Sequence, residues 1–231
     1  MLALGDSITN GGDGRALGVP GRSWCAWLAD ALGMELDNLA FDGAVAEDVV
    51  TLQVPLARSQ YALACIYIGV NDVRGAGWDP GAYERALGAI LERAAGLAEC
   101  VLVATIPLDL GRPPAGPKVA DANAIVRRLA SSYGAAVAEL EDLGGRALVL
   151  PDRVHPTPLG QLEIADRAAG ALDAAGLPVP RHPSSLAPLD RSATARLRFA
   201  AVLACEEGRD LLRLLRECPG WTLRTAAGRR S

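Results

Sequence analysis

Of the two histidines in this 231-residue chain, His155 has a carboxylate, Asp152, three residues before it, and His182 does not. A carboxylate at that spacing can fold back within a loop to accept from the Nδ1–H of the imidazole, which leaves Nε2 as a base. The residue three before His182 is Val179, and His182 lies in a proline-rich stretch, where it reads as a solvated loop residue. A base serves a nucleophile that is hardly ionised at neutral pH, and Ser7 is the candidate, placed where the apolar run Met1-Leu-Ala-Leu breaks at Gly5-Asp6. On its own Gly-Asp-Ser is equally an ordinary turn or helix N-cap, and His155 equally a satisfied structural histidine. Nucleophile, base and orienter together perform acyl transfer when hydrogen-bond donors also face the developing oxyanion. Three donors are candidates: the backbone N–H of Ser7, the backbone N–H of Gly43 and the side-chain amide of Asn71. Glycine at 43 allows close backbone approach to a reacting carbonyl, although it also suits a plain turn, and Asn71 also suits a cap.

These residues need a scaffold that delivers them to one edge. The run ending at Gly5 reads as a buried strand, so Ser7 falls at its carboxyl end, the edge where open α/β sheets bind ligands. A Gly-rich loop follows over 11–21, then a helix capped by Ser23 and closed near Gly33, with Trp24, Trp27, Leu28, Ala31 and Leu32 at helical spacing. Residues 34–40 alternate like a strand, and 45–58 carry a helical pattern. The continuous apolar runs 61–68 and 100–106 read as strands buried on both faces. Asp79-Pro80 opens a helix to about Leu97, and 107–117 is a Gly- and Pro-rich loop. A helix over 118–133, a short strand over 135–140 and a last helix opened by Thr157-Pro158 and running to Leu172 complete the pattern. Five strands alternating with helices predict a mostly parallel sheet covered on both faces.

Composition narrows the setting. The net charge of −4 and pI of 5.3 argue against a nucleic-acid binder. The charge is uneven: residues 1–180 sum to −9 and 181–231 to +5. The basic tail holds an amphipathic helix or helix pair over 194–218, with Val202, Cys205, Leu211, Leu212, Leu215 and Cys218 on one side and Glu206, Arg209, Arg213 and Arg216 largely opposite. It reads as an extra helix packed on the domain, or as a contact for a protein partner or anionic surface. Five cysteines without CxxC spacing read as reduced core residues. Without an amino-terminal signal pattern or an apolar run of membrane-spanning length, the expectation is a soluble, cytoplasmic chain.

Ser7, Gly43, Gly69-Val70-Asn71-Asp72 and Asp152-Arg153-Val154-His155 occur in an order that resembles the SGNH (GDSL-type) family of esterases and lipases, over residues 1 to about 175. The resemblance implies a flavodoxin-like three-layer α/β/α sandwich with a five-stranded parallel sheet. It also implies a Ser7, His155, Asp152 triad and an oxyanion hole from Ser7, Gly43 and Asn71. The domain division is then a hydrolase domain over 1–177, a linker over 178–193 and a basic helical extension over 194–231. The expected chemistry is hydrolysis of a carboxylic ester, carrying an acetyl or other acyl group on a small molecule, sugar or lipid, through an acyl-enzyme. Acyl transfer or thioester hydrolysis would use the same intermediate, and a non-catalytic module recruiting a partner through its tail is the contrasting reading. No cofactor is expected. Asp6 and Asp72 lack a neighbouring His or Cys cluster, so turn and loop hydrogen bonds are expected of them rather than a metal. Arg15, Arg22, Arg74, Trp78 and Arg112, on loops 11–22, 73–79 and 107–117, are candidates to frame the pocket.

Overall fold

The computed structural model describes residues 1–217 apart from 13, 59 and 113, and no side chain over 215–217. Five parallel strands form one sheet: β1 (Leu2–Gly5), β4 (Asp37–Asn38), β5 (Tyr61–Tyr67), β6 (Ala98–Ala104) and β7 (Ala136–Ala138). Their spatial order is β4-β1-β5-β6-β7, so the first strand is followed outward on one side by the second and on the other by the third, the flavodoxin-like arrangement. Chain direction across the sheet reverses between β1 and β5, where Gly5 pairs with Tyr67. The crevice at that reversal is where such sheets bind ligands, and Ser7 opens onto it.

Helices cover both faces because the central strands are apolar throughout, with Leu63 to Tyr67 and Val101 to Ala104 buried. On one face α2 (Trp24–Leu32) packs against α7 (Pro158–Ala174); on the other lie α5 (Pro80–Leu97) and α6 (Lys118–Tyr133). Their ends follow local chemistry. Ser23 caps α2 by accepting from the N–H of Cys25, and Gly33 closes it in the left-handed region. Asp79 caps α5 ahead of Pro80, and Thr157 caps α7 ahead of Pro158.

Several elements depart from expectation. The alternation over 34–40 yields only Asp37–Asn38 as strand, because Asn38 turns its side chain to the Thr9 carbonyl and the Ala40 N–H. The helical stretch 45–58 is one turn of α3 (Ala46–Asp48), a π turn over Val49–Gln53 and a 3-10 turn over Val54–Leu56. Pro55 lacks the N–H that a continuing α-helix would use. Two short elements lie inside presumed loops, the β2 (Arg15–Ala16) and β3 (Val19–Pro20) hairpin and α4 (Val70–Arg74). The stretch 178–192 is fastened to the domain, with the N–H of Ser184 on Asp166 and the N–H of Asp190 on the Leu17 carbonyl.

The tail helix α8 (Ala193–Glu217) packs on the domain, but by a different face from the apolar one expected. Leu203, Asp210 and Leu214 are buried, while Val202, Leu211 and Leu212 are about half exposed and Cys205 faces out. The docked face combines two apolar side chains with an ion-paired carboxylate. Cys25 and Cys65 are buried as expected and Cys100 half-buried, whereas Cys218 lies outside the described residues, as does the chain beyond it. Among the described residues no helix is long and apolar enough to cross a membrane.

Candidate functional site

Strand β1 hands the chain to α1 (Ser7–Asn10) through a turn with almost no free space. A Cβ on Gly5 would lie 2.4 Å from the carbonyl oxygen of Tyr67. The buried side chain of Gln53 clamps Gly5 from below, accepting from its N–H at 2.9 Å and donating to its carbonyl at 2.7 Å. Asp6 caps α1 with Oδ1 on the N–H of Ile8 at 3.0 Å, which leaves Ser7 as the first helical residue, half-buried. From α7, Gln161 donates to the Ile8 carbonyl at 2.9 Å and accepts from the N–H of Trp24 at 2.8 Å. Neither glutamine stood out in the sequence; each is a lone polar residue on an inward face of an otherwise apolar pattern, and that is the signal that could have found it.

The hydroxyl of Ser7 lies 3.1 Å from Nε2 of His155, a contact across 148 residues of sequence. Nδ1 of the same ring lies 2.7 Å from Oδ2 of Asp152. The other carboxylate oxygen, Oδ1, accepts from the backbone N–H groups of Val154 and His155 at 2.9 and 3.1 Å, so the acid is fixed by its own loop. That loop is a narrow return. The N–H of Leu150 donates to the His155 carbonyl at 2.8 Å, and the N–H of Thr157 to the Leu148 carbonyl at 2.8 Å. Between acid and base, Arg153 holds φ at +57°, a left-handed conformation that residues other than glycine seldom adopt. The hydrogen bond to Asp152 raises the His155 imidazole above its ordinary range, against the opposing effect of burial. Burial alone would raise Asp152, but its bonds from the His155 ring and the two backbone N–H groups outweigh it and leave the acid below the usual carboxylate range.

Gly43 sits in an exposed turn at φ +82°, bracketed by two ties. Asn10 of α1 donates to Asp42 at 2.9 Å, and the amide of Asn71 donates to the Ala44 carbonyl at 3.0 Å. Asp72 accepts from the N–H of Ala46 at 3.1 and 3.2 Å, fastening the same turn to α4. Tyr83 secures the start of α4 by donating to the Ile68 carbonyl at 3.1 Å. Three neighbouring strands thus bring Ser7, Gly43 and Asn71 to one edge of the sheet. Asn71 spends one amide hydrogen on Ala44, which orients the other. Such a group of N–H donors can stabilise negative charge on an oxygen bound beside the Ser7 hydroxyl.

Asp6 and Asp72 make turn and loop bonds, as expected of them. Asp6 is wholly inaccessible and its Oδ2 has no partner, and burial pushes its carboxyl up to about 7. Among the described residues no group of three or more His, Cys, Asp or Glu side chains converges as a metal site would require. His182 is exposed and lies 3.9 Å from Asp166, apart from the Ser7 edge. Of the candidate pocket arginines, Arg22 pairs with Asp30 and stacks over Trp27, Arg15 donates to the Gly18 carbonyl, and Arg112 pairs with Asp210. Arg74, at the end of α4, is exposed, and its charge reaches His155. Trp78 packs on Tyr83 at 5.4 Å and lines a cavity of about 260 Å³ together with Val45, Asn71 and Asp72. A second cavity of about 260 Å³ lies behind the Asp152–His155 loop, floored by Ile8, Tyr67 and Val154 and rimmed by Arg112, Arg146 and Glu207.

Residues 3–162 match the family model described as GDSL-like Lipase/Acylhydrolase family. No curated protein sequence matches. Solved structures are similar in fold. An acetylxylan esterase from Geobacillus stearothermophilus is 21% identical, with a TM-score of 0.60 over 78% of this chain and 95% of that one. A hydrolase from the metagenome of Lake Arreo, Spain, is 22% identical, with a TM-score of 0.61 over 76% of this chain and 94% of the other. TesA is 23% identical, with a TM-score of 0.63 over 75% of this chain and 98% of its own.

Proposed function

This chain belongs to the GDSL-like lipase/acylhydrolase family, and from that premise we propose that it is a serine esterase that cleaves a carboxylic ester through Ser7, His155 and Asp152. The observation that carries the proposal is the relay of 3.1 and 2.7 Å from the Ser7 hydroxyl through His155 to Asp152, assembled from opposite ends of the domain. His155 Nε2 takes the hydroxyl proton as Ser7 Oγ bonds to the ester carbonyl carbon, and the carbonyl electrons move onto oxygen. The N–H groups of Ser7 and Gly43 and the amide of Asn71 receive that oxyanion; removing one such donor typically costs about 10²–10³ in turnover. As the tetrahedral species collapses, the alkoxide leaves with the proton from His155, and Ser7 carries the acyl group. Water then repeats the sequence, giving up a proton to His155 and releasing the carboxylic acid. The substrate class is an acetyl or other acyl ester of a small molecule, sugar or lipid. The acetylxylan esterase among the structural relatives puts acetylated sugars among the first substrates to try.

The test is turnover of p-nitrophenyl esters of increasing chain length beside acetylated sugars. The expected result is hydrolysis of at least one by the wild type, a loss of about 10³-fold or more in Ser7→Ala and His155→Ala, and near-wild-type activity in His182→Ala. Unchanged turnover in Ser7→Ala, or no turnover of any ester, would overturn the proposal.

A further inference from the structure

Helix α8 lies outside the region matched by the family model, yet it turns back across the loop that holds Asp152 and His155. Glu206, Arg209, Asp210 and Arg213 of α8 face Leu150, Pro151 and Asp152 across a cleft. Two ion pairs fasten the helix there. Glu207 meets Arg146 at 3.0 Å, on the loop leading into the Asp152 return. Asp210, buried to 7% exposure on a helix that otherwise mostly faces solvent, meets Arg213 of its own helix at 2.6 Å and Arg112 of the 107–117 loop at 3.8 Å.

Arg112 connects α8 to the catalytic return. The neighbouring N–H of Gly111 donates to the Arg153 carbonyl at 2.8 Å, and Asp109 takes the Arg153 guanidinium at 2.5 Å. Arg153 is the residue at φ +57° between Asp152 and His155. A left-handed arginine persists only where its surroundings over-determine it; here its N–H donates to the Leu150 carbonyl within the return, and its carbonyl and guanidinium are held by the loop that Asp210 meets through Arg112. The second cavity is lined by this same return and by the 107–112 loop, while Val154 packs into the core beside it.

We propose that α8 is a working wall of the candidate active site, in which Asp210 is a positioning residue that holds the 107–112 loop against Arg153 and so keeps Asp152 on His155. The proposal rests on the assignment of the Ser7, His155, Asp152 triad. His155 faces Asp152 on its own loop, Asp6 at the β1 turn and Arg74 on α4, and among the described residues Glu206, Arg209, Asp210 and Arg213 of α8 line the cleft beside Asp152. Loosening the return therefore weakens the hydrogen bond to Asp152, the largest of the interactions that raise the imidazole.

The test uses the full chain and does not depend on turnover. Amide hydrogen exchange over 150–157 and the NMR titration of the His155 ring are compared between the wild type and Asp210→Asn. The expected result is exchange at least about threefold faster over 150–157 with β5 unchanged, and a His155 titration moved towards that of a free imidazole. Wild-type exchange and titration in Asp210→Asn would overturn the proposal. If Asp210→Asn also accelerates exchange in β5, the decision passes to Glu207→Gln, an exposed position remote from the core. Faster exchange confined to 145–157 then supports the wall, and wild-type exchange there overturns it. Failure of the triad assignment would appear separately, as ester turnover that survives Ser7→Ala.

Discussion

At the scale of single residues, the proposed chemistry turns on how Asp152 treats His155. The acid raises the imidazole above its ordinary pKa of about 6.5 through the 2.7 Å hydrogen bond, and burial opposes this without cancelling it. The reaction needs the neutral ring, so kcat/KM falls as pH drops through the raised value, and the acid limb of the profile lies above pH 6.5. Asp152→Asn removes the charge that favours the imidazolium. It is expected to shift the acid limb to lower pH and to cut kcat by about 10²–10⁴, since the amide also misorients the ring tautomer. A pH–rate profile of the two proteins checks both. Ser7, His155 and Asp152 were legible in the sequence because the chemistry limits the choice: two histidines, of which one has a carboxylate at loop-folding distance. Gln53 and Gln161 were not legible, because nothing in a lone buried amide says which backbone it will meet.

At the scale of elements, the turn that presents Ser7 is set from beneath. Gln53 satisfies both the N–H and the carbonyl of Gly5 in a site without water access, and removing a buried partner leaves groups whose desolvation is no longer repaid. Gln53→Ala is expected to cost about 1–3 kcal/mol in chemical denaturation. It should also lower kcat while KM stays within about twofold, because the turn aims the proposed nucleophile and its oxyanion donor. The long apolar runs foretold β5 and β6, and capping residues located α2, α5 and α7, since both signals act locally. Pro55 breaks the 45–58 helix by a local rule, but the π turn that points Gln53 at Gly5 involves contacts with β1 that periodicity does not carry. The β2–β3 hairpin and α4 are too short to show a period. The face by which α8 docks was not legible, because Leu203 and Leu214 lie beside a buried Asp210 whose arginine sits on a distant loop.

At the scale of the whole molecule, strand order does the assembling. Placing β1 between β4 and β5 brings the turns after three strands together, and those turns carry Ser7, Gly43 and Asn71. The return after β7 then crosses to Ser7, whose own turn α7 secures through Gln161 and the Ile8 carbonyl, and α8 faces the return across a cleft. The sheet and this edge could be anticipated from the alternation of strands and helices. The closure by α8 could not, since it joins segments about 100 residues apart through single ion pairs. All of this geometry serves one chemical claim, that Ser7 is a nucleophile activated by His155, and covalent labelling with a fluorophosphonate tests it most directly. Mass mapping of the labelled wild type is predicted to place the phosphonyl group on Ser7, with labelling abolished in Ser7→Ala and slowed by about 10²-fold or more in His155→Ala. Equal labelling of wild type and Ser7→Ala, or a wild type that stays unlabelled, would contradict it.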